Sequence, residues 1–417
     1  MTEDNRLSKV KILIQQKKFE EAENLLSDLL AEDSNNIQFL SLLSEVYLQQ
    51  DRFDNANRVI ENAIGLSPDA PDLFYIKSRI AIQQDNLNEA EKNIKQAIEL
   101  DPYDADYFAL LANIKRGRKQ FEDALELANK ALEIDAENIL ALNIRSTVLN
   151  KLNRNEESFQ TIEGALRVEP NNAYTHANYG WGLLEKGEHK KALVHFKEAL
   201  TNDPTLDYAQ SGMLEALKAT NPIYRIFLKY SFFMSNLTSK YQWGVIIGFY
   251  LVFRALKTVA KNNEALQPFL IPLIVALALI AFSTWVIAPI SNLFLRFNKY
   301  GQLLLEKEEK MSSNFVAISL GLSFIGLLLY FIMSDEKMLT VAVFGFAMML
   351  PFGTMFLPSK NKYGLLIYTI ALAIIGLAAI GTTFLTGEMF NLITIMFIFG
   401  FVAFQWVVNY MIIKKDN

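Results

Sequence analysis

The sequence predicts an all-α protein in which an N-terminal solenoid of six two-helix repeats is followed by a polytopic bundle of about six transmembrane helices. Two observations lead to this fold class. Small residues recur every 34 positions through the first 200 residues. Residues 223–417 then contain several apolar stretches of about 20 residues, the length that an α-helix needs to cross the core of a bilayer.

The 417 residues divide into two halves of unlike charge. Residues 1–222 contain 25 Lys and Arg against 37 Asp and Glu, whereas residues 223–417 contain 15 against 8. An acidic half joined to a basic apolar half excludes a simple cytosolic enzyme, a collagen-like fibre and a disordered chain. The sequence has no cysteine, which excludes disulfides, thiolate nucleophiles and Cys-ligated metal sites.

Two columns of small residues and one column of proline define the repeat. The first small column is Ala22, Ala56, Ala90, Ala124, Ser158 and Ala192, the second is Ala63, Ala97, Ala131, Ala165 and Ala199, and the prolines are Pro68, Pro102, Pro170 and Pro204. Small side chains let two helices approach closely, and proline ends a helix because it cannot donate the next backbone hydrogen bond. Each unit is therefore predicted to be a pair of antiparallel helices.

This pattern resembles the tetratricopeptide repeat (TPR) family. Six tandem units fit residues 3–206 without a gap, and Val10 stands in the first unit where the motif has a small residue. The first unit is therefore predicted to cap the array. The resemblance implies a curved stack of helix pairs whose first helices line a groove for protein partners.

The groove positions of the family select ten candidate partner-binding residues in this sequence. They are polar, aromatic or cationic: Asp72, Tyr75, Arg79, Asp106, Asn113, Arg116, Asn143, Asn150, Tyr174 and Trp181. Such a surface suits an extended peptide or a helix of a partner, because amide and guanidinium groups pair with backbone while aromatic rings provide apolar anchors. The Lys and Asn pair that holds a terminal carboxylate in some TPR proteins is absent from every unit. The alternative is that several of these side chains are simply solvated.

The residues after the repeats are predicted to form three further segments. Residues 207–222 are a capping helix and linker, 223–241 an amphipathic helix, and 242–413 a transmembrane domain. Ile223, Ile226 and Tyr230 share one face of the amphipathic helix, while Arg225 and Lys229 lie off it. This pattern is typical of a helix at the lipid headgroups. The alternative is a last repeat helix that packs its apolar face on the sixth unit.

Six membrane spans are predicted near residues 243–260, 267–290, 314–333, 338–357, 364–385 and 389–412. Lys and Arg near the span ends are concentrated on the side of the N-terminus, where they include Arg225, Lys229, Lys240, Arg296, Lys299, Lys307, Lys310, Lys360, Lys362, Lys414 and Lys415. The positive-inside rule then places the repeats and the C-terminus in the cytoplasm of a bacterium, with the spans in its inner membrane.

The first span contains a candidate contact with another membrane subunit. Gly244 and Gly248 could let a second helix approach closely, and a buried Arg254 would need an acidic or polar partner. The alternative is that Arg254 extends to the nearby interface. Residues 291–314 are predicted to form a short amphipathic helix that contacts the acidic repeats or a partner, with a solvated linker as the alternative.

The sequence offers no residues suited to catalysis. The membrane half has no His and no Cys, and its two Asp residues, Asp335 and Asp416, lie outside the predicted spans. We expect no enzyme activity, no cofactor, no metal site and no nucleic-acid partner. The expected function is a membrane-anchored adaptor or scaffold that recruits proteins, as part of a protein export, insertion or envelope-assembly complex. The alternatives are a TPR-regulated transporter or channel and, less favoured, a membrane glycan polymerase or ligase with a TPR module.

Overall fold

In the computed structural model, which describes residues 3–295, 301–357 and 363–413, all regular secondary structure in these ranges is helical. The contacts between residues divide the chain into two compact units, Met1–Tyr179 and Gly180–Asn417. The first unit contains the greater part of the repeats, and the second begins within the first helix of the sixth repeat.

Twelve helices follow one another as six pairs between Glu3 and Asn202. In chain order they are α1 (Glu3–Gln15), α2 (Phe19–Glu32), α3 (Ile37–Gln49), α4 (Phe53–Leu66), α5 (Pro71–Gln83), α6 (Leu87–Leu100), α7 (Ala105–Gly117), α8 (Phe121–Ile134), α9 (Ile139–Lys151), α10 (Asn155–Val168), α11 (Ala173–Lys186) and α12 (His189–Asn202). These helices reproduce the predicted 34-residue period.

The small residues of the repeat lie where the helices of the first unit meet. Ala22, Ala56 and Ala90 are fully buried, and each helix from α1 to α9 packs against the next. Bulky side chains fill the space beside them: Ile60 and Ile94 are also fully buried. Burial of one such side chain contributes about 1.5–3 kcal/mol, so these side chains stabilise the packing of the helices.

The turn inside each pair uses one residue in the left-handed backbone conformation. These residues also recur every 34 positions: Lys17, Asp51, Asp85, Lys119, Asn153 and Gly187, with φ between 56° and 89°. The residue after each one donates its N–H to a carbonyl five residues earlier, as from Asn86 to Ala81 at 2.8 Å. This is the hydrogen bond of a Schellman cap. The sequence analysis missed this column because only its last member is glycine.

An aromatic cluster fills the start of the second unit, which continues with α13 (Asp207–Lys218) and α14 (Pro222–Asn236). Phe196 is fully buried, and an added Cβ at Gly212 would lie only 2.1 Å from its ring. The Trp181 ring lies edge-on to Phe196 at 5.8 Å and is stacked on Tyr208 at 5.8 Å. The absence of a side chain at Gly212 therefore makes room for this cluster.

Helix α14 has one packed face and one exposed apolar face. Tyr224 and Leu228 are buried, and the Tyr224 hydroxyl donates to Glu215 Oε2 at 2.6 Å. On the other face Ile223, Ile226 and Phe233 are 67 %, 72 % and 54 % exposed. The helix thus packs on its own unit through a different face from the apolar stripe noted in the sequence.

Six long apolar helices follow, with a single helical turn, α17 (Gly301–Leu304), between the second and third. They are α15 (Ser239–Asn262), α16 (Gln267–Leu295), α18 (Lys307–Met333), α19 (Lys337–Thr354), α20 (Gly364–Thr386) and α21 (Leu392–Ile413). By length and composition alone, five segments in the described ranges could cross a membrane, and they lie in α15, α16, α18, α19 and α20. The apolar part of α21 described there, Leu392–Val408, is shorter, so six spans stay a prediction.

Several cations that predict the membrane orientation lie outside the described residues. They are Arg296, Lys299, Lys360, Lys362, Lys414 and Lys415. The orientation therefore rests on the sequence alone.

Helices α18 and α19 approach each other more closely than side chains normally allow. An added Cβ at Gly345 would lie 2.5 Å from the Ser323 nitrogen, and one at Gly326 would lie 2.5 Å from the Ala342 nitrogen. Helix α15 is different, since Trp243 and Tyr250 are both 58 % exposed. The second unit thus combines a tightly packed helix pair with a largely uncovered helix.

Substitution of Gly212 tests the aromatic cluster. Gly212→Ala should lower the free energy of unfolding by about 1–3 kcal/mol, because the new methyl group overlaps the Phe196 ring in a closely packed core. Gly65→Ala is the matched control: it lies in α4 with no atom within 4 Å of the added Cβ, and it should raise stability by about 0.5–1 kcal/mol. Denaturant unfolding of the full chain in detergent measures both, and an unchanged Gly212→Ala variant would contradict this packing.

Candidate functional site

A cavity of about 280 Å³ opens on the first helices of the second to fifth pairs, and we call it the groove cavity. Its walls come from α3, α5, α7 and α9, and its lining residues are Leu48, Gln49, Asp51, Tyr75, Arg79, Ile82, Gln83, Leu110, Asn113 and Leu140. Three of the predicted partner-binding residues, Tyr75, Arg79 and Asn113, therefore meet in one place. The lining combines aliphatic side chains with three carboxamides.

Tyr75 gives the groove cavity an aromatic wall. Its ring lies 5.5 Å from that of Tyr107, centroid to centroid, at an angle of 38°. Burial, opposed by the Arg79 charge and assisted by the Asp106 carboxylate, raises the pKa of Tyr75 to about 12. The phenol is therefore neutral at physiological pH, and it can contact apolar groups or donate a hydrogen bond.

Arg79 is paired within the chain. Its Nη1 and Nη2 donate to the two carboxylate oxygens of Glu45 at 2.6 Å and 3.0 Å, and both side chains are partly buried. A bidentate pair of this kind has fixed geometry and little net charge. Arg79 therefore shapes the groove cavity, and a second carboxylate from a ligand would compete with Glu45.

Several predicted groove residues connect one repeat to the next. The Tyr107 hydroxyl donates to Asp72 Oδ1 at 2.6 Å, and Asn138 Nδ2 donates to Asp106 Oδ1 at 2.7 Å. Further along, Asn143 Nδ2 donates to Thr175 Oγ1 at 2.8 Å. With the Arg79 pair, these bonds form what we call the repeat ladder, because each joins residues about one repeat apart.

The remaining predicted groove residues have varied surroundings. Asn113 and Arg116 both belong to α7. Asn113 Oδ1 accepts hydrogen bonds from Arg116 Nε at 3.1 Å and Nη2 at 2.7 Å, which holds Arg116 next to this residue of the groove cavity. Asn150 is half-buried and Tyr174 is 46 % exposed. Trp181 belongs to the second unit, where its Nε1 donates to the Tyr208 carbonyl at 3.1 Å, so the groove cavity does not include it.

Carboxylates lie near Tyr75, since Asp106 and Asp104 both act on its phenol. Burial raises the pKa of Asp104, and the neighbouring carboxylates of Asp106, Asp72 and Asp101 raise it further against the effect of a backbone hydrogen bond. This local excess of negative charge disfavours a partner that presents a carboxylate. Within the described residues no group of three or more His, Asp or Glu side chains is arranged to hold a metal ion.

The candidate subunit contact in α15 faces away from the rest of its unit. A Cβ added at Gly244 or Gly248 meets no atom within 4 Å. Arg254 is exposed, and its carbonyl accepts a hydrogen bond from Thr258 Oγ1 at 3.0 Å. By helical spacing Gly244 lies about 160° and Gly248 about 120° from Ala260, the buried residue among the described side chains of this helix. The described part of the unit therefore leaves the glycine face uncovered.

The sequence analysis missed the repeat ladder, although the sequence contained a signal for it. Glu45 and Arg79 are 34 residues apart, and Asp72 and Tyr107 are 35 apart. Complementary polar residues at one repeat period are neighbours wherever successive first helices are adjacent.

Three solved structures of repeat proteins are similar to part of this chain, each with a TM-score below 0.5. A tetratricopeptide repeat protein from Parabacteroides merdae is 16 % identical, over 52 % of this chain and 83 % of its own, with a TM-score of 0.45. A thermophilic TPR protein of Thermus thermophilus is 20 % identical, over 43 % and 98 %, with a TM-score of 0.40. YrrB, described as a TPR protein with an unusual peptide-binding site, is 17 % identical, over 45 % and 96 %, with a TM-score of 0.31. No curated protein has a significantly similar sequence.

The family model described as Tetratricopeptide repeat matches residues 13–62 and 47–114. These residues contain α2 to α6 and most of α7, and they include the helices that supply the greater part of the groove cavity. The chain therefore contains a tetratricopeptide repeat segment, a scaffold of the kind that mediates protein–protein interaction.

Proposed function

We propose that this protein is a membrane-anchored adaptor whose TPR segment binds protein partners at the cytoplasmic face of a bacterial inner membrane. The observation that carries the proposal is the groove cavity, which opens on four successive first helices and is lined by Tyr75, Ile82 and Leu110. An apolar anchor side chain surrounded by hydrogen-bonding groups is the usual basis of protein recognition.

The chemistry of the groove cavity favours a particular kind of partner segment. The aliphatic lining accepts an apolar side chain, and the carboxamides of Gln49, Gln83 and Asn113 can pair with the backbone of an extended peptide. Because Glu45 already holds Arg79, the anchoring does not depend on a terminal carboxylate. Peptide binding, stated in the description of YrrB, is extended to this chain as part of the proposal.

Membrane anchoring is proposed from the long apolar helices. Within the described ranges five segments are long and apolar enough to cross a bilayer, and residues 223–417 carry an excess of Lys and Arg. The exposed apolar face of α14 is suited to the lipid interface, where Tyr230 and Lys229 can reach the headgroups. We assign no catalytic role to the protein.

The groove cavity can be tested by one substitution and a matched control. Ile82→Asp places a charge on its apolar wall, and capture of partners by the full chain from mildly solubilised membranes should fall at least tenfold, because burial of an unpaired carboxylate is unfavourable. Ile134→Asp, at a surface isoleucine that ends α8 and does not line the groove cavity, should leave capture unchanged. Quantitative mass spectrometry of the captured proteins measures the ratio.

The same experiment can contradict the proposal in two ways. Equal loss in both variants would indicate that capture does not depend on the groove cavity. Absence of any protein that co-purifies with the wild-type chain in fixed ratio would remove the adaptor function itself. Circular dichroism and thermal unfolding of both variants confirm that each retains its helices.

The orientation in the membrane can be tested with single cysteines, since the chain has none of its own. Glu336→Cys and Glu388→Cys should react with an impermeant maleimide in intact spheroplasts, because the positive-inside rule places these loops outside the cytoplasm. Glu308→Cys is the matched control and should react only after permeabilisation. The opposite pattern, or labelling of all three sites before permeabilisation, would contradict the proposed topology.

A further inference from the structure

The second unit contains a cavity of about 1060 Å³ that the proposed function does not use. We call it the interhelix cavity, and its walls come from α13, the last turns of α16, the first turns of α18, and the ends of α19 and α20. Its volume is slightly above the range of about 300–1,000 Å³ that is usual for sites that hold a drug-sized molecule. It lies at the ends of four helices that we propose to be membrane spans.

Asn292 provides an unsatisfied hydrogen-bond acceptor in this cavity. Its side chain lines the wall and the residue is only 5 % exposed. Its Nδ2 donates weakly to Glu309 Oε1 at 3.4 Å, whereas its Oδ1 is buried without a partner. Buried side-chain oxygens nearly always accept a hydrogen bond, so this acceptor is available to a donor from outside the chain.

The charges on the wall indicate that this donor is cationic. Asp207, Glu306, Glu308 and Glu309 line the cavity together with one described cation, Lys307. Glu309 is held in place because its Oε2 accepts the Glu306 backbone N–H at 3.0 Å. Asn292 Oδ1 and the Glu309 carboxylate, whose Oε1 lies 3.4 Å from Asn292 Nδ2, both offer acceptors. Such acceptors suit a protonated primary amine with its three N–H donors.

The rest of the wall is apolar. Leu214, Pro289, Met311, Phe356 and Leu366 all line the cavity, and the volume exceeds what a small ammonium ion would fill. An amphiphile with an ammonium headgroup can pair with the oxygen acceptors and can also contact the apolar wall. A lipid bilayer supplies such molecules at the ends of membrane helices.

We propose that the interhelix cavity binds a membrane lipid with a primary ammonium headgroup, of the phosphatidylethanolamine class, through Asn292 and Glu309. This inference rests on the proposed membrane anchoring. Phosphatidylcholine has the same charges but no N–H donor on its nitrogen, so it is the matched probe for the hydrogen bonds.

Native mass spectrometry tests the proposal. The full chain is released from nanodiscs that contain equal amounts of phosphatidylethanolamine and phosphatidylcholine with identical acyl chains. We expect retained phosphatidylethanolamine to exceed phosphatidylcholine at least tenfold. Asn292→Leu and Glu309→Gln should each reduce that preference several-fold, while Asn262→Leu, at the exposed end of α15, should preserve it.

Each other result overturns the proposal. Equal retention of the two lipids, or a preference for phosphatidylethanolamine that persists in both cavity variants, would show that the cavity does not recognise the primary amine. Displacement of the lipid by a lysine-containing peptide at lower concentration would reassign the cavity to a protein lysine. Glu309→Gln keeps a hydrogen-bonding side chain at its site, so it remains informative if Asn292→Leu fails to fold.

The result is separable from that of the proposed function. If the protein resists carbonate extraction from membranes and captures partners but shows no headgroup preference, only the lipid-binding proposal is contradicted. If carbonate extracts the protein from membranes, both the proposed membrane anchoring and the lipid-binding proposal are contradicted.

Discussion

Close approach of helices at small side chains is the constraint on which the first unit depends. Ala22, Ala56 and Ala90 have no exposed surface, and their spacing fixes the distance between successive helix pairs. A larger residue at one of these positions would push two helix pairs apart. The side-chain contacts between those two pairs would then be lost or displaced. The buried isoleucines and the left-handed turns recur at the same 34-residue period. The bonds of the repeat ladder join residues 32 to 35 positions apart.

The repeat ladder shows how one set of residues can serve both the packing and the surface. Asp72, Arg79 and Asn143 lie at positions that the family pattern associates with partner binding, yet each is hydrogen-bonded to a residue about one repeat away. These bonds satisfy polar groups that would otherwise be costly at partly buried positions. What remains accessible is the groove cavity, where Ile82 and Leu110 lie beside Tyr75. Recognition is therefore expected to depend more on apolar contact than on the charged groups that stand out in the sequence.

The second unit combines helix contacts of two kinds. Gly326 and Gly345 allow α18 and α19 to pack backbone against backbone, as small residues do between closely packed apolar helices. Gly244 and Gly248 could likewise let a helix approach closely, but an added Cβ at either one has no atom of the described chain within 4 Å. The pattern of glycines alone could not distinguish these cases. Whether a glycine is a contact or an open site depends on which helix lies opposite, and distant parts of the chain decide that.

The sequence by itself determined the helical class, the 34-residue period, the paired helices and the apolar character of the second half, because periodicity and composition are local properties that each segment expresses wherever it lies. The tertiary structure decided the rest. Asn292 looks like an ordinary loop residue in the sequence, and its unpaired oxygen becomes visible only when α13, α16 and α18 enclose it. In the sequence Arg79 has no evident partner. In the structure it forms an ion pair with Glu45, which lies one repeat earlier. Burial and pairing depend on which residues meet across the fold, and that information is not carried by any one segment.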